Sequence, residues 1–181
     1  MTFPNLHTVR LSSAFFDMHE SLGESYATEL VSLNPTLVNI GVCRPDSIPD
    51  VQFWEAVSNL QYLKSIGTSN FALHKGEMET FWKVLSKLEE VDLSTLEFPT
   101  DCHQPKFTFY RLRKITFTAE RSDYRVQFQF IRLCPNLEDL FWRLLREIEV
   151  LDEFASDIER GLWPKLEAID LCHYREDEYS S

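Results

Sequence analysis

An α/β solenoid, with parallel strands along one face and helices along the other, is the fold class that this sequence of 181 residues predicts. Three observations lead there. An apolar frame, Leu-x-x-apolar-x-apolar, returns along the whole chain; it returns at a near-constant interval; and the stretches between frames carry apolar residues at helical spacing.

The frames are Leu6-Val9-Leu11, Leu37-Ile40-Val42, Leu63-Ile66-Thr68, Leu88-Val91-Leu93, Leu112-Ile115-Phe117, Leu137-Leu140-Trp142 and Leu166-Ile169-Leu171, with first leucines 31, 26, 25, 24, 25 and 29 residues apart. That period, with the same apolar offsets each time, is the mark of a leucine-rich repeat, here a horseshoe of about seven repeats with strands on the concave face and helices on the convex one. Only Thr68 breaks the apolar rule. The last two apolar positions lie two apart and point to one side of a short strand, while the first leucine turns into the same core from the preceding bend. A rung alone buries too little, so neighbours must cover it; each fully buried Leu or Ile then contributes about 1.5–3 kcal/mol.

Between the frames the reading runs in order. Tyr26 to Leu33 is a weakly patterned helix. Val51, Trp54, Val57 and Leu60 recur every third residue, and Met78, Phe81, Trp82, Leu85 and Leu88 follow i, i+3, i+4, i+7, i+10, so both stretches are amphipathic helices. Leu96 to Tyr110 contains Pro99 and Pro105 without helical period, which predicts an irregular convex loop over 99–104 and an extended segment over 106–110. Tyr124, Val126, Phe128 and Phe130 alternate like a strand, but their place in the repeat, ahead of Cys134-Pro135, calls for a helix. Ile148, Leu151, Phe154, Ala155 and Ile158 give a last helix, ended by Gly161 and Pro164. The repeat domain spans 1–174 and an acidic, frayed tail 175–181. The first frame starts six residues into the chain without a polar capping helix. This predicts either the terminal part of a longer protein or a divergent short form, with self-association through Val9 and Leu11 of the uncovered N-terminal edge.

With 44% hydrophobic and 26% charged residues the composition is ordinary for a globular domain. A net charge of −11 and a pI near 4.9 oppose binding to nucleic acid or anionic membrane, both of which need clustered Lys and Arg. There is no secretory leader pattern and no long apolar run. Cys43, Cys102, Cys134 and Cys172 lie far apart with no Cys-x-x-Cys pair, which favours reduced thiols and a cytoplasmic or nuclear setting.

The prolyl lead-ins Phe3-Pro4-Asn5-Leu6, Asn34-Pro35-Thr36-Leu37, Cys134-Pro135-Asn136-Leu137 and Trp163-Pro164-Lys165-Leu166 each enter a frame. With them the chain resembles the leucine-rich repeat region of F-box proteins, especially divergent fungal ones, and Cys134-Pro135-Asn136-Leu137-Glu138-Asp139-Leu140 is similar to the cysteine-containing repeat class. The resemblance implies the substrate-recognition part of a cullin-type ubiquitin ligase subunit, whose adaptor is docked by a separate N-terminal F-box; no such segment precedes Leu6. The second cysteine of that class is replaced by Ala14, Pro45, Phe71, Leu96, Glu120, Leu145 and Tyr174.

Strand alternation predicts which side chains face a partner. The candidates are Arg10, Asn39, Gly41, Ser65, Gly67, Glu90, Asp92, Lys114, Thr116, Asp139, Phe141, Arg143 and Asp170. Gly41 and Gly67 on successive rungs, with Glu90, Asp92 and Asp139 beyond them, read as a groove for a basic or polar protein segment; the alternative is an ordinary solvated sheet face. Trp142 falls in the core and Phe141 on the concave side, an assignment that a slip of one residue would exchange.

Catalytic and metal chemistry find no framework. Asp101-Cys102-His103 and Cys172-His173 lack the four spaced ligands of a zinc site and any visible base or oxyanion hole. No phosphate loop, nucleophile elbow or His-Glu-x-x-His is present. The expectation is therefore a binding protein without cofactor or metal. Its first alternative is a repeat protein that recruits or inhibits a partner independently of ubiquitin, and a remote one is an enzyme using the 99–105 loop.

Overall fold

The computed structural model describes residues 2–12, 20–43, 51–69, 71–94, 96–98, 108–118, 124–144 and 148–173. In order the elements are β1 (Thr8–Leu11), α1 (Glu20–Ser32), β2 (Asn39–Cys43), α2 (Val51–Ser58), β3 (Ser65–Ser69), β4 (Phe71–Ala72), α3 (Met78–Leu85), β5 (Glu90–Asp92), β6 (Leu96–Glu97), β7 (Lys114–Phe117), α4 (Tyr124–Arg132), β8 (Asp139–Leu144), α5 (Ile148–Glu159) and β9 (Ala168–His173). The protein is α/β. Seven strands, in the order β1-β2-β3-β5-β7-β8-β9, form one parallel sheet that is not closed.

Each predicted frame supplies one of these strands, and the frames lie in register: Val9, Ile40, Ile66, Val91, Ile115, Leu140 and Ile169 form one transverse row. A repeated backbone device sets the register. The carbonyl one residue past each first leucine accepts two N–H groups from the next rung, from His7 O with Val38 and Asn39 (2.8 and 3.0 Å) to Glu138 O with Glu167 and Ala168 (2.9 and 3.1 Å). The prolyl lead-ins share a turn in which the leucine N–H donates three residues back, as from Leu6 to Phe3 O at 3.0 Å and Leu166 to Trp163 O at 3.2 Å.

One face of the sheet is the floor of the core. Ile40, Val42, Ile66, Val91, Leu93, Ile115, Phe117, Leu140 and Trp142 are buried together with Trp54, Phe81, Leu85, Phe130 and Phe154 from the helices. Thr68, the exception in the apolar column, is also buried, and its hydroxyl donates to Asp92 O at 3.4 Å, so the polar atom has a partner. Trp82 joins the middle rungs, stacked on Phe98 and Phe130 with ring centroids 5.7 and 5.5 Å away. The alternating segment from Tyr124 is the helix α4. The last helix α5 ends at Gly161, whose φ of +77° closes the turn while Leu162 N–H reaches back to Asp157 O at 3.1 Å.

Two features differ from the sequence reading, and a third lies beyond it. Leu96–Glu97, ahead of the expected loop and given no element in the sequence reading, is β6 and pairs in parallel with β4, making a second, two-stranded sheet. Tyr110 is not extended; with Arg111 it forms a turn where other repeats place their proline, while residues 99–107 and the tail from 174 lie outside the described residues. The bare end of the sheet is not the N-terminal one. Leu11 is 2% exposed and Val9 half-buried, whereas Ile169 and Leu171 of β9 are 43% and 42% exposed. Leu11 shares the core with Ala27 and Val31 of α1, and among the described residues no helix follows β9 to do the same.

The register can be checked by two adjacent substitutions. Leu88 is fully buried, and Leu88→Ala is expected to cost about 2–5 kcal/mol. Glu89, held at 3.5 Å to Lys64 and 3.6 Å to Arg111 on the half-exposed surface, should lose less than about 0.5 kcal/mol on Glu89→Ala. Equal losses in urea melts would mean that the frame is wrongly placed.

Candidate functional site

The side chains on the opposite face of the main sheet fall into transverse rows. Thr8, Asn39, Ser65, Glu90, Lys114, Asp139 and Ala168 make one, and Arg10, Gly41, Gly67, Asp92, Thr116, Phe141 and Asp170 the next. All the candidates except Arg143 are in these two rows; Arg143 stands one step on, beside Cys172. Phe141 is half-buried on this open face and Trp142 fully buried beneath it, so the strand has not slipped.

Lateral contacts fix several of these groups. Asn39 Nδ2 donates to Thr8 Oγ1 at 3.2 Å, and Ser65 Oγ donates to Asn39 Oδ1 at 2.6 Å. Lys114 Nζ lies 2.9 Å from Asp139 Oδ2. That hydrogen bond, and then the carboxylate's charge, raise the Lys114 pKa above its ordinary 10.5. Stability from such a raised ammonium is whole below its unfolded value and fades as pH climbs through the folded one, so the pair is intact across the neutral range. Asp92 accepts from Ser94 N–H at 3.1 Å and from the Ser94 hydroxyl, which holds its carboxylate close to the backbone.

Across the first rungs the rows open into a groove of about 780 Å³. Gly41 and Gly67 pair with each other on its floor, with Arg10 to one side and Glu90 and Asp92 to the other. Ser12, Cys43 and Ser69 line it as well; they belong to the row that also holds Arg143 and were legible from the same alternation. Lys114 and Thr116 reach its far side, whereas Asp139, Phe141, Arg143 and Asp170 lie outside it. The hollow thus lies over β1, β2, β3, β5 and the near side of β7, and the face over β8 and β9 takes no part in it.

A second group at the strand entrances escaped the sequence reading. Glu89, Tyr110, Arg111, Arg113, Asn136 and Lys165 surround a smaller hollow of about 300 Å³, and Tyr110 is 68% exposed. Its ion pairs join successive rungs, Arg111 to Glu89 at 3.6 Å and Arg113 to Glu138 at 3.5 Å. The positions flank the first leucine, where no strand pattern draws attention to them.

Neither Cys134 nor Cys172 carries an activated thiol. Burial pushes the Cys134 thiol far up, and its Sγ donates to Phe130 O at 3.3 Å, which makes the motif cysteine a core residue. The Cys172 thiol is raised by its hydrogen bond to Asp170, 3.3 Å away. Asp101-Cys102-His103 and the 99–105 loop lie outside the described residues. Among the described residues no three His, Cys, Asp or Glu side chains gather as metal ligands, and no helix is long and apolar enough to cross a membrane.

The chain matches no family model, no curated protein and no solved structure.

Proposed function

We propose that the chain is a leucine-rich repeat scaffold of horseshoe form that binds a basic or polar segment of a protein partner in the groove over Gly41 and Gly67. By its resemblance to F-box proteins, it acts as the substrate-recognition part of an F-box-like ubiquitin ligase subunit. In-register rungs at a period of 24 to 31 residues support the repeat class.

The observation that carries the binding reading is the glycine pair. Neither glycine has a positive φ, so the backbone does not require it. A Cβ on Gly67 would meet only Asp92 Cβ at 3.9 Å, an ordinary contact. Glycine inside a strand costs about 0.5–1 kcal/mol relative to alanine, so the fold would be at least as stable with a side chain at Gly67, whereas a Cβ on Gly41 would stand 3.3 Å from Arg10 Cγ and needs that arginine to shift. Space left open at the cost of stability is useful to a ligand that approaches the backbone. Glu90 and Asp92 supply the charge that favours a cationic side chain, and Arg10 the opposite charge across the hollow.

Gly67→Ala is expected to raise stability by up to about 1 kcal/mol, and Gly67→Leu to fold normally while filling the groove. In affinity capture, a partner retained by the native chain and by Glu79→Ala on the exposed side of α3 should bind Gly67→Leu about tenfold more weakly, a loss of about 1.4 kcal/mol. Equal capture by all three removes the groove from the account. If depleting the chain leaves ubiquitylation of the captured partner unchanged, the ubiquitin-independent recruiter replaces the ligase role.

A further inference from the structure

Four of the nine exposed large apolar side chains among the described residues, Ile158, Leu162, Ile169 and Leu171, belong to the last helix-to-strand unit, which marks one end of the sheet as a place where apolar surface is left uncovered. Ile169 and Leu171 stand in register with Leu140 and Trp142, both 0% exposed because β9 covers them. The backbone repeats the pattern. At each junction between rungs one carbonyl accepts two N–H groups from the next strand, and the carbonyl in that position on the last rung, Glu167 O, receives neither among the described residues. At the other edge the corresponding donors, the N–H groups of His7 and Thr8, meet no carbonyl of another rung among the described residues.

We infer that the open edge of β9 takes the β1 edge of a second copy of this chain, continuing the parallel sheet from one molecule to the next. The two edges match in each column. Glu167 meets His7, Asp170 meets Arg10, Ile169 meets the half-buried Val9, and Leu166 meets Leu6. Leu171 falls opposite Leu11, which is already buried, so β9 supplies most of the uncovered apolar surface. Pairs of opposite charge already join neighbouring rungs inside the chain, with Lys64 to Glu89 and Arg113 to Glu138 both at 3.5 Å and Lys114 to Asp139 at 2.9 Å. The chain's own Glu176-Asp177-Glu178 has the wrong sign for an edge that carries Glu167 and Asp170. Because the contact joins two different edges, a dimer keeps one free edge of each kind, and parallel continuation of the sheet produces a series of dimers, trimers and longer stacks.

Sedimentation velocity on the whole chain tests this, from dilute solution to about 100 µM, within the range where exposed edges associate. The expected result is a concentration-dependent series, moved toward monomer by about tenfold or more in affinity by Leu171→Lys, which places a charge on an apolar edge. Arg10→Asp and Asp170→Arg should each weaken association about fivefold, the scale of an exposed ion pair turned repulsive. An equimolar mixture of these two variants should regain the native association, because every edge then meets one of opposite charge. A single monomeric species at the highest concentration overturns the inference. So does a closed dimer indifferent to Asp170→Arg, or a mixture that associates no better than its components.

Discussion

Trp142→Ala is expected to lower the unfolding free energy by about 3–5 kcal/mol, because it empties the volume of a fully buried indole in the second half of the core. The indole is fully buried on β8, stacked on Phe128 at 6.0 Å and edge-on to Phe154 at 5.7 Å. Its Nε1–H donates to Gln127 Oε1 at 2.7 Å, and Gln127 is itself completely buried. Size and polarity can therefore be separated. Trp142→Phe keeps most of the apolar volume but removes the buried hydrogen bond from the indole to the amide oxygen, which costs about 0.5–1.5 kcal/mol. Trp142→Phe in a Gln127→Leu background should lose less than the two single losses added together. Strict additivity in urea denaturation would mean that the indole and the amide are not coupled.

Arg132→Ala is the second large effect, at about 3 kcal/mol, since removing one partner leaves a buried carboxylate without its cation. Asp157 is 3% exposed, and Arg132 Nε lies 2.6 Å from its Oδ2. The same guanidinium reaches Glu153 at 3.3 Å and lies over the Phe128 ring at 4.1 Å, so it joins α4 to α5 through charge and packing together. Arg160, 3.7 Å from Asp157 Oδ1, remains as a weaker partner and keeps the loss at the low end of the range for broken buried pairs. Replacing both members by apolar residues, Arg132→Met with Asp157→Leu, should recover most of it. A thermal melt in which the double variant is worse than Arg132→Ala would show that Asp157 is solvated.

The repeated frame was legible in the sequence because its meaning is local: two apolar residues two apart on a strand, and a leucine in the bend before them, look the same in every rung. Once seven such frames are aligned, the transverse rows and the half-buried Phe141 above the buried Trp142 follow. The groove was legible in part. Gly41 and Gly67 announce missing side chains, and strand alternation sets Ser12, Cys43 and Ser69 on the same face, but only the structure puts Phe141 and Asp170 outside the hollow. Long-range pairings left no trace. The β4 and β6 strands are too short to show a period. In α4 the helical face is Tyr124, Gln127, Phe128 and Ile131, and the glutamine disguises it until its hydrogen bond to Trp142 is seen. The covered N-terminal rung and the uncovered last one depend on which strand a helix follows, a fact of assembly and not of any single frame.

The transverse row Arg10, Gly41, Gly67, Asp92 also acts as a ruler. Adjacent rungs stand about 4.8 Å apart, whereas a helix laid across them presents a turn every 5.4 Å or so. The two scales drift by only about 0.6 Å per rung, little enough for side-chain rotamers to absorb over the interval from Gly41 to Asp92. An extended chain in the same direction offers same-facing side chains about 6.8 Å apart and is out of step after a single rung. For the protein segment proposed to occupy the groove, a vernier of this kind grades candidates by pitch before any charge is compared, and it favours a short helix of a few turns over an extended chain laid in the same direction.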